Sequence, residues 1–274
     1  MNKRTFMRLK SLTFAVVIFA MNGGSAQNKP SIEEGFTTLF NGENWDGWYL
    51  QLRNGDDKMA KKVFAIEDGM VHVFNDTPDS LDLNTGENST HGMFYIMKKY
   101  SKYILRFEYK WGKKIANNFE QFQYDAGMFY HVYDDKIWPK GIEYQIRYDH
   151  TKNQNHTGDF WAKFVTIKWY GAKNGSFLMP KNGGLPSVPK TPEHRALADA
   201  PFDGLNDQWN QCEVIVMGDA YTIHKLNDEI VNIATDLSQN EGNFGFQSET
   251  AEIYYRNIRI KEFESVVPMK EFID

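Results

Sequence analysis

Apolar and polar residues alternate with a period of two along most of the chain, and convincing helical periodicity is rare. In the clearest run, Tyr103, Leu105, Phe107 and Tyr109 alternate with mostly polar residues. Such alternation is typical of an antiparallel strand that is buried on one face. Similar runs predict further strands over residues 63–66, 70–74, 93–97, 126–133, 142–148, 163–169, 211–217, 221–226, 230–234, 243–247 and 253–263.

Tight turn signals separate several of these runs. Asp68-Gly69, Gly218-Asp219 and Asn227-Asp228 each lie between two short strands, and such pairs favour two-residue hairpins. Many short strands joined by hairpins predict an all-β sandwich or barrel. Residues 171–207 lack this pattern, and we expect them to form a lid or rim over a binding face, with a surface insertion as the alternative. Residues 76–91 predict a second rim.

The first residues have the pattern of a secretory signal peptide. Four basic residues among the first ten precede a short apolar stretch at 12–21, and Gly24-Ser25-Ala26 supplies small residues before Gln27. The apolar stretch is too short for a good membrane span, which needs about 20 residues. We therefore expect cleavage of residues 1-26 and export of residues 27-274, as one domain without a membrane span, to the periplasm or the medium.

Charge and cysteine content narrow the classes of function. Asp and Glu total 36 against 31 Lys and Arg, which argues against a nucleic-acid or anionic-membrane partner. The single cysteine, Cys212, excludes an intramolecular disulfide and cysteine-based zinc frameworks. No serine-hydrolase elbow, zinc-protease, P-loop or dinucleotide motif is found. No cofactor is predicted, an assisting divalent metal stays an open alternative, and the oligomeric state is left open.

Two predicted strands each concentrate polar residues on one face. Alternation places Asp125, Phe129 and His131 on one face of the first strand, and Glu143, Gln145, Arg147 and Asp149 on one face of the second. If the strands are neighbours, these faces merge into a polar surface with aromatic edges. Such a surface suits sugars, whose hydroxyls bind amides and carboxylates. The alternative is a solvated outer face with cross-strand ion pairs.

Several of these residues are candidates for chemistry or binding. Glu143 is the best candidate for acid–base catalysis, and Asp125 could supply the second carboxylate of a pair. Gln247 follows small residues that would leave room for a ligand. His224 is a further candidate, with a satisfied strand histidine as the alternative. The predicted substrate is therefore a carbohydrate.

Short motifs follow one another in the same order as in a known family. They are residues 36–48 (Phe-Thr-Thr-Leu-Phe-Asn-Gly-Glu-Asn-Trp-Asp-Gly-Trp), 125–131, Glu143-Tyr-Gln-Ile146, Trp209-Asn210, Leu226-Asn227, Gly245-Phe-Gln247 and Tyr255-Arg-Asn-Ile-Arg-Ile260. In these motifs the chain resembles the 3-keto-disaccharide hydrolase domain family, and Asp125 and His131 stand where that family has Asn and Arg. The resemblance implies a concanavalin A-like jelly-roll sandwich of two antiparallel sheets.

The resemblance also implies activity on glycosides oxidised at C3. The C3 carbonyl acidifies the C2 proton, so a base can remove it, the group at C1 departs by elimination, and hydration completes net hydrolysis. Glu143 would then be the base or acid, and His131, Gln145 and Arg147 would orient the sugar or stabilise the enolate. Two other hypotheses stay open: a non-catalytic sugar-binding module, and a conventional glycanase on the same sandwich.

Overall fold

The computed structural model describes residues 35–273 apart from several short segments. Those segments are Asn54, Asp56, 76–89, 117–121, Asp135, Lys163, 173–176, 188–192 and 195–204. The predicted signal peptide and most of the rim predicted over 76–91 therefore lie outside the described residues. Across the described part of the chain, no helix is both long and apolar enough to cross a bilayer.

The described residues form eighteen strands and two short α-helices. The strands are β1 (Thr37–Thr38), β2 (Trp48–Leu52), β3 (Phe64–Glu67), β4 (Met70–Val73), β5 (Gly92–Ile96), β6 (Lys102–Ile115), β7 (Tyr124–Val132), β8 (Ile142–Asp149), β9 (Gln154–Asn155), β10 (Phe160–Trp161), β11 (Lys168–Gly171), β12 (Leu185–Ser187), β13 (Glu193–His194), β14 (Asn210–Met217), β15 (Tyr221–Leu226), β16 (Glu229–Thr235), β17 (Asn243–Ser248) and β18 (Ala251–Glu262). The helices are α1 (Asp57–Val63) and α2 (Lys270–Ile273).

These strands make two antiparallel sheets. The ten-stranded sheet has the order β12-β11-β16-β15-β14-β6-β18-β4-β3, with β1 also paired to β18. The eight-stranded sheet has the order β13-β10-β8-β7-β17-β5-β2, with β9 also paired to β8. Strands that are distant in sequence are neighbours in both sheets, as in a jelly roll.

The core lies between the two sheets and is built from the alternating apolar positions. Leu105 and Phe107 of β6 are buried, while Arg106 between them is partly exposed on the other face. Phe107 meets rings of the opposite sheet, with its centroid 5.9 Å from that of Tyr144 and 5.0 Å from that of Phe246. Burial of such side chains, each contributing about 1.5–3 kcal/mol, holds the sheets together. The predicted jelly-roll sandwich is confirmed.

The positions of the three predicted hairpin turns are also confirmed. Asp68-Gly69 joins β3 to β4 and Asn227-Asp228 joins β15 to β16 as two-residue turns, whereas the turn from β14 to β15 has three residues, Gly218-Asp219-Ala220. Asp68 and Gly69 both have positive φ, at 49° and 77°, as do Asn227 and Asp228 at 48° and 68°. Positive φ at both central positions is what a type I′ turn requires, and its twist matches that of the flanking strands.

Two strand predictions were wrong. The run over 163–169 is not a strand along its length, since β11 begins only at Lys168. Strand β2, Trp48–Leu52, was missed although it carries a period-two signal. Trp48 and Leu52 are buried in the core and Leu50 packs against it, while Tyr49 and Gln51 alternate with them.

The segment 171–207 contributes strands to both sheets. β12 pairs with β11 at the edge of the ten-stranded sheet, and its Pro186 is tolerated because an edge strand need not donate on both sides. β13 pairs with β10 at the edge of the eight-stranded sheet, where Glu193 lies opposite Trp161. The segment is therefore partly an extension of the sandwich, and a lid role remains a prediction.

Candidate active site

The sequence-predicted polar residues meet on the outer face of the eight-stranded sheet. β7 and β8 are neighbours, and their register places Asp125 opposite Arg147, Gly127 opposite Gln145, and Phe129 opposite Glu143. The residues between them, such as Ala126 and Tyr144, belong to the core. Alternation therefore turns the polar set away from the core. We call Asp125, Glu143, Gln145, Arg147, Gln247 and Glu249 the polar cluster.

Asp125 organises one side of the polar cluster. Its Oδ2 accepts a hydrogen bond from Arg147 Nε at 2.9 Å, and its Oδ1 accepts one from Gln145 Nε2 at 2.8 Å. Gln145 Nε2 also contacts the carbonyl oxygen of Ala126 at 3.0 Å. The carboxylate is thus occupied by two donors that it fixes in place. This geometry favours a positioning role for Asp125 over the acid–base role considered from the sequence.

The other side of the polar cluster surrounds Gly127. A Cβ atom at this position would lie 2.0 Å from Glu143 Oε1 and 2.7 Å from Gln247 Oε1. The absence of a side chain therefore allows both oxygens to lie directly over the backbone of Gly127. Gln247 is 2% exposed, and its Oε1 has no hydrogen-bond partner among the described residues. A buried amide oxygen without a donor is costly, so this position is suited to a ligand hydroxyl.

The polar cluster contains several charged side chains that are largely shielded from water. Asp125 and Glu143 are each 5% exposed. Glu249 lies close enough to both for their charges to act on it, and desolvation together with those charges raises its pKa well above the ordinary value. Arg147 and Arg53 oppose this rise. Neighbouring carboxyl groups with divergent protonation are a common arrangement for acid–base catalysis.

Three residues that the sequence-based prediction missed, Arg53, His91 and Glu249, belong to this region. Arg53 follows β2, and its backbone N–H donates to the carbonyl of His91 at 2.8 Å. Burial, with the positive charge of Arg53, lowers the pKa of His91 to about 3, so its imidazole is neutral. Arg53 was missed because β2 was not predicted. Glu249 had a usable signal, since it lies two residues after Gln247 and so on the same strand face.

His131 does not lie in the polar cluster, and its prediction as a member of that face was wrong. The pairing of β7 with β17 shifts between Asn243 and Gly245, and His131 has φ +53°. The extra residue of this β-bulge reverses the alternation. The ring of His131 therefore points to the β14–β15 turn, where Nε2 donates to the carbonyl of Gly218 at 2.9 Å. Burial lowers its pKa to about 4.

His224 lies away from the polar cluster, contrary to its prediction as a substrate-binding residue, whereas Asp149 ends β8 on the face of Arg147 and its substrate-binding role stays a prediction. His224 is in the core, where Nδ1 donates to the carbonyl of Gly158 and Nε2 lies 3.0 Å from Tyr130 Oη. Asp149 Oδ1 accepts hydrogen bonds from Thr151 and Lys152 in the turn after β8. Burial would raise the pKa of Asp149, but these bonds outweigh it and lower the pKa to about 2.

Phe129 lies on the predicted outer face but is 2% exposed. It packs in a small apolar cluster with Met93, Tyr95 and Val132. Gly245 makes room for this packing, because a Cβ there would lie 2.5 Å from the Tyr95 ring. Phe129 therefore supports the floor beside the polar cluster. In the described ranges, no three or more His, Cys, Asp or Glu side chains are arranged to hold a metal ion.

The chain is similar to several solved structures, and the two with a TM-score of 0.50 show the fold. A proposed glycosyl hydrolase from Parabacteroides distasonis is 21% identical, with a TM-score of 0.50, and the match covers 84% of this chain and 95% of that one. A second from the same organism is 16% identical, with a TM-score of 0.50 and coverage of 83% and 99%. A carbohydrate-binding module from Bacillus subtilis is 16% identical, with a TM-score of 0.46 and coverage of 79% and 96%.

The family comparison covers the whole described sandwich. No curated protein matches the chain. The model of the 3-keto-alpha-glucoside-1,2-lyase-like domain matches residues 35–261, a range that contains both sheets and every residue of the polar cluster. This confirms the family resemblance seen in the sequence motifs. The chain belongs to the 3-keto-alpha-glucoside-1,2-lyase-like domain family.

Proposed function

We propose that the polar cluster cleaves α-glucosides oxidised at C3, starting with removal of the C2 proton. Membership of the family makes the chain a carbohydrate-active, glycosyl hydrolase-like sandwich. The observation that carries the finer proposal is the meeting of the Glu143 carboxylate and the Gln247 amide oxygen over Gly127. A base and a hydroxyl acceptor side by side suit a sugar that presents a C–H bond and an adjacent hydroxyl.

The proposed reaction is an elimination. Glu143 takes the proton from C2, which the C3 carbonyl has acidified, and the electrons of the C2–H bond form the C1–C2 double bond. The C1–O bond breaks, and the departing oxygen takes up a proton. The products are an alcohol and an unsaturated 3-ketosugar. Water can then add to the C1–C2 double bond of this ketosugar. One base is sufficient for this route, whereas hydrolysis through an oxocarbenium ion needs a carboxylate pair at a defined separation.

The residues of the polar cluster fit distinct roles in this reaction. Desolvation and the neighbouring carboxylates raise the pKa of Glu249, so Glu249 is the proposed acid that protonates the departing oxygen. Gln247 would accept a hydrogen bond from a ring hydroxyl. Arg147, fixed by Asp125, supplies positive charge towards the developing enolate, and preorganised charge of this kind is worth about 100- to 1,000-fold in rate.

The proposal is tested by offering the protein methyl α-glucoside before and after oxidation at C3. We expect methanol release only from the oxidised compound, together with transient ultraviolet absorbance from the conjugated enone. Cleavage of the unoxidised glucoside would instead indicate a conventional glycanase. Binding of the oxidised glucoside without release would indicate a sugar-binding module. Either of these two results contradicts the elimination.

Gly127→Ala is expected to lower the rate of this reaction at least about tenfold, the effect of a displaced catalytic group, with little change in melting temperature. The added methyl group pushes away the ends of two side chains, Glu143 and Gln247, which can rotate without disturbing the backbone. The matched control is Gly112→Ala. A Cβ there would lie 2.2 Å from Glu252 Oε2, on the ten-stranded sheet. Equal loss of activity in both variants would contradict the assignment.

A further inference from the structure

The loop between β7 and β8, residues 133–141, lies across the outer face of the eight-stranded sheet. Tyr95 Oη donates to the carbonyl of Lys136 at 2.6 Å, and Lys140 N–H donates to Asp134 Oδ1 at 2.7 Å. Ile137 packs against the apolar cluster that contains Phe129. The Tyr95 hydrogen bond and the packing of Ile137 hold the described part of this loop against the outer face, and the Lys140–Asp134 hydrogen bond fixes the loop internally.

Trp138 stands out within this loop. It has φ +54°, a left-handed conformation that is rare for a bulky side chain and costs free energy. It is 36% exposed, while Trp48, Trp111 and Trp169 are 3–6% exposed. Strained backbone of this kind persists where the surroundings enforce it, and it concentrates at ligand-binding positions.

The ring of Trp138 is held at the margin of the polar cluster. The Arg53 guanidinium lies over the ring at 4.5 Å, and the His91 ring meets it edge-on at 4.9 Å. The ring is thus oriented by two contacts and still presents area to the outside. His91 precedes β5, which is two strands from β7 and Gly127, a separation of about 10 Å at the usual strand spacing.

We propose that Trp138 is the stacking platform for the second ring of a disaccharide substrate. The proposal rests on the proposed function, since it places the reacting ring against the Glu143 and Gln247 oxygens that lie over Gly127. A second pyranose ring then reaches Trp138, whose flat apolar face suits the C–H face of a sugar. Trp138 would bind substrate without touching the reacting atoms.

A structural role for Trp138 and a role as a stacking platform predict different effects of its removal. A second Arg–Trp pair in the chain serves as a matched control. On the ten-stranded sheet, the Arg256 guanidinium lies 3.8 Å from the ring centroid of Trp209, so the same kind of pair occurs far from the polar cluster. Loss of a structural ring would affect all substrates alike. Loss of a platform would affect only a substrate long enough to reach it.

The experiment compares α,α-trehalose oxidised at C3 of one ring with methyl α-glucoside oxidised at C3. For Trp138→Ala we expect KM for the disaccharide to rise roughly 5- to 10-fold, the effect of one lost aromatic contact. We expect kcat for the disaccharide and both constants for the methyl glucoside to stay unchanged.

Trp138→Phe should restore most of the affinity, and Trp209→Ala should match the wild type. If the Trp138→Ala variant does not fold, the Trp138→Leu variant is used instead, because leucine keeps apolar bulk but has no flat ring.

Two outcomes overturn the platform: an unchanged KM for the disaccharide, or an equal rise in KM for both substrates. If the wild type cleaves neither oxidised compound, the proposed function fails and the platform is tested by calorimetry with unoxidised trehalose and methyl α-glucoside. Weaker binding of trehalose alone by the Trp138 variant supports the platform. Equal affinities of the variant and the wild type for trehalose overturn it.

Discussion

Replacing Glu143 with Gln is expected to lower turnover of a C3-oxidised glucoside by about 100- to 10,000-fold, the usual contribution of a general base. Gln has nearly the same shape as Glu but cannot accept the C2 proton. Folding should be retained or improved, because the substitution removes one negative charge from a site where Asp125 and Glu249 lie near Glu143 and hydration is poor. Turnover is measured by release of the alcohol, and folding by thermal unfolding.

Glu108→Gln is the matched control for this variant. Glu108 lies on the ten-stranded sheet, where it accepts hydrogen bonds from Arg256 Nε at 2.7 Å and Asn257 Nδ2 at 2.8 Å. It is a partly buried, hydrogen-bonded glutamate far from the polar cluster, so its replacement should leave turnover unchanged. A Glu143→Gln protein that retains wild-type turnover would remove Glu143 from the mechanism and leave the outer face without a base.

Arg147→Met is expected to lower the free energy of unfolding by about 3–5 kcal/mol, the effect of leaving one charge of a buried pair without its partner. The side chains of Arg147 and Asp125 are 16% and 6% exposed. Without Arg147, Asp125 would lose its charged donor and keep the neutral donor of Gln145. The measurement is urea denaturation, in which the midpoint should fall while the slope stays constant.

Two further variants test whether the loss of stability comes from the buried pair of Arg147 and Asp125. In Arg256→Met, the lost partner is Glu108, and Arg256 is 37% exposed, so the loss should be about 1 kcal/mol or less. In the double variant Asp125→Asn with Arg147→Met, the orphaned charge is absent, and part of the stability should return. Equal losses in Arg147→Met and Arg256→Met would show that Asp125 is well hydrated, and the polar cluster would then lack the poorly hydrated setting that the proposed chemistry uses.

The sequence alone determined which residues share a strand face wherever the strands are regular. Asp125, Glu143, Gln145 and Arg147 were placed on one surface from period-two alternation, and the register of β7 and β8 confirms that placement. The inference works because side chains in an extended chain must alternate between faces, whatever the rest of the fold does. The same rule, together with turn residues that tolerate positive φ, was sufficient to predict the sandwich and the positions of its hairpins.

Only the tertiary structure decided where that alternation is broken and which distant strands become neighbours. The bulge at His131 reverses the faces within β7 and removes this residue from the surface, and no local pattern marks a bulge. Arg53 and His91 are brought beside the polar cluster through pairing between β2, β5 and β17, which depends on long-range contacts. The Glu143 and Gln247 oxygens likewise meet over Gly127 only because β17 pairs with β7. Alternation is a property of the single chain, whereas the site is a property of strand order, and strand order is set by burial of the whole core.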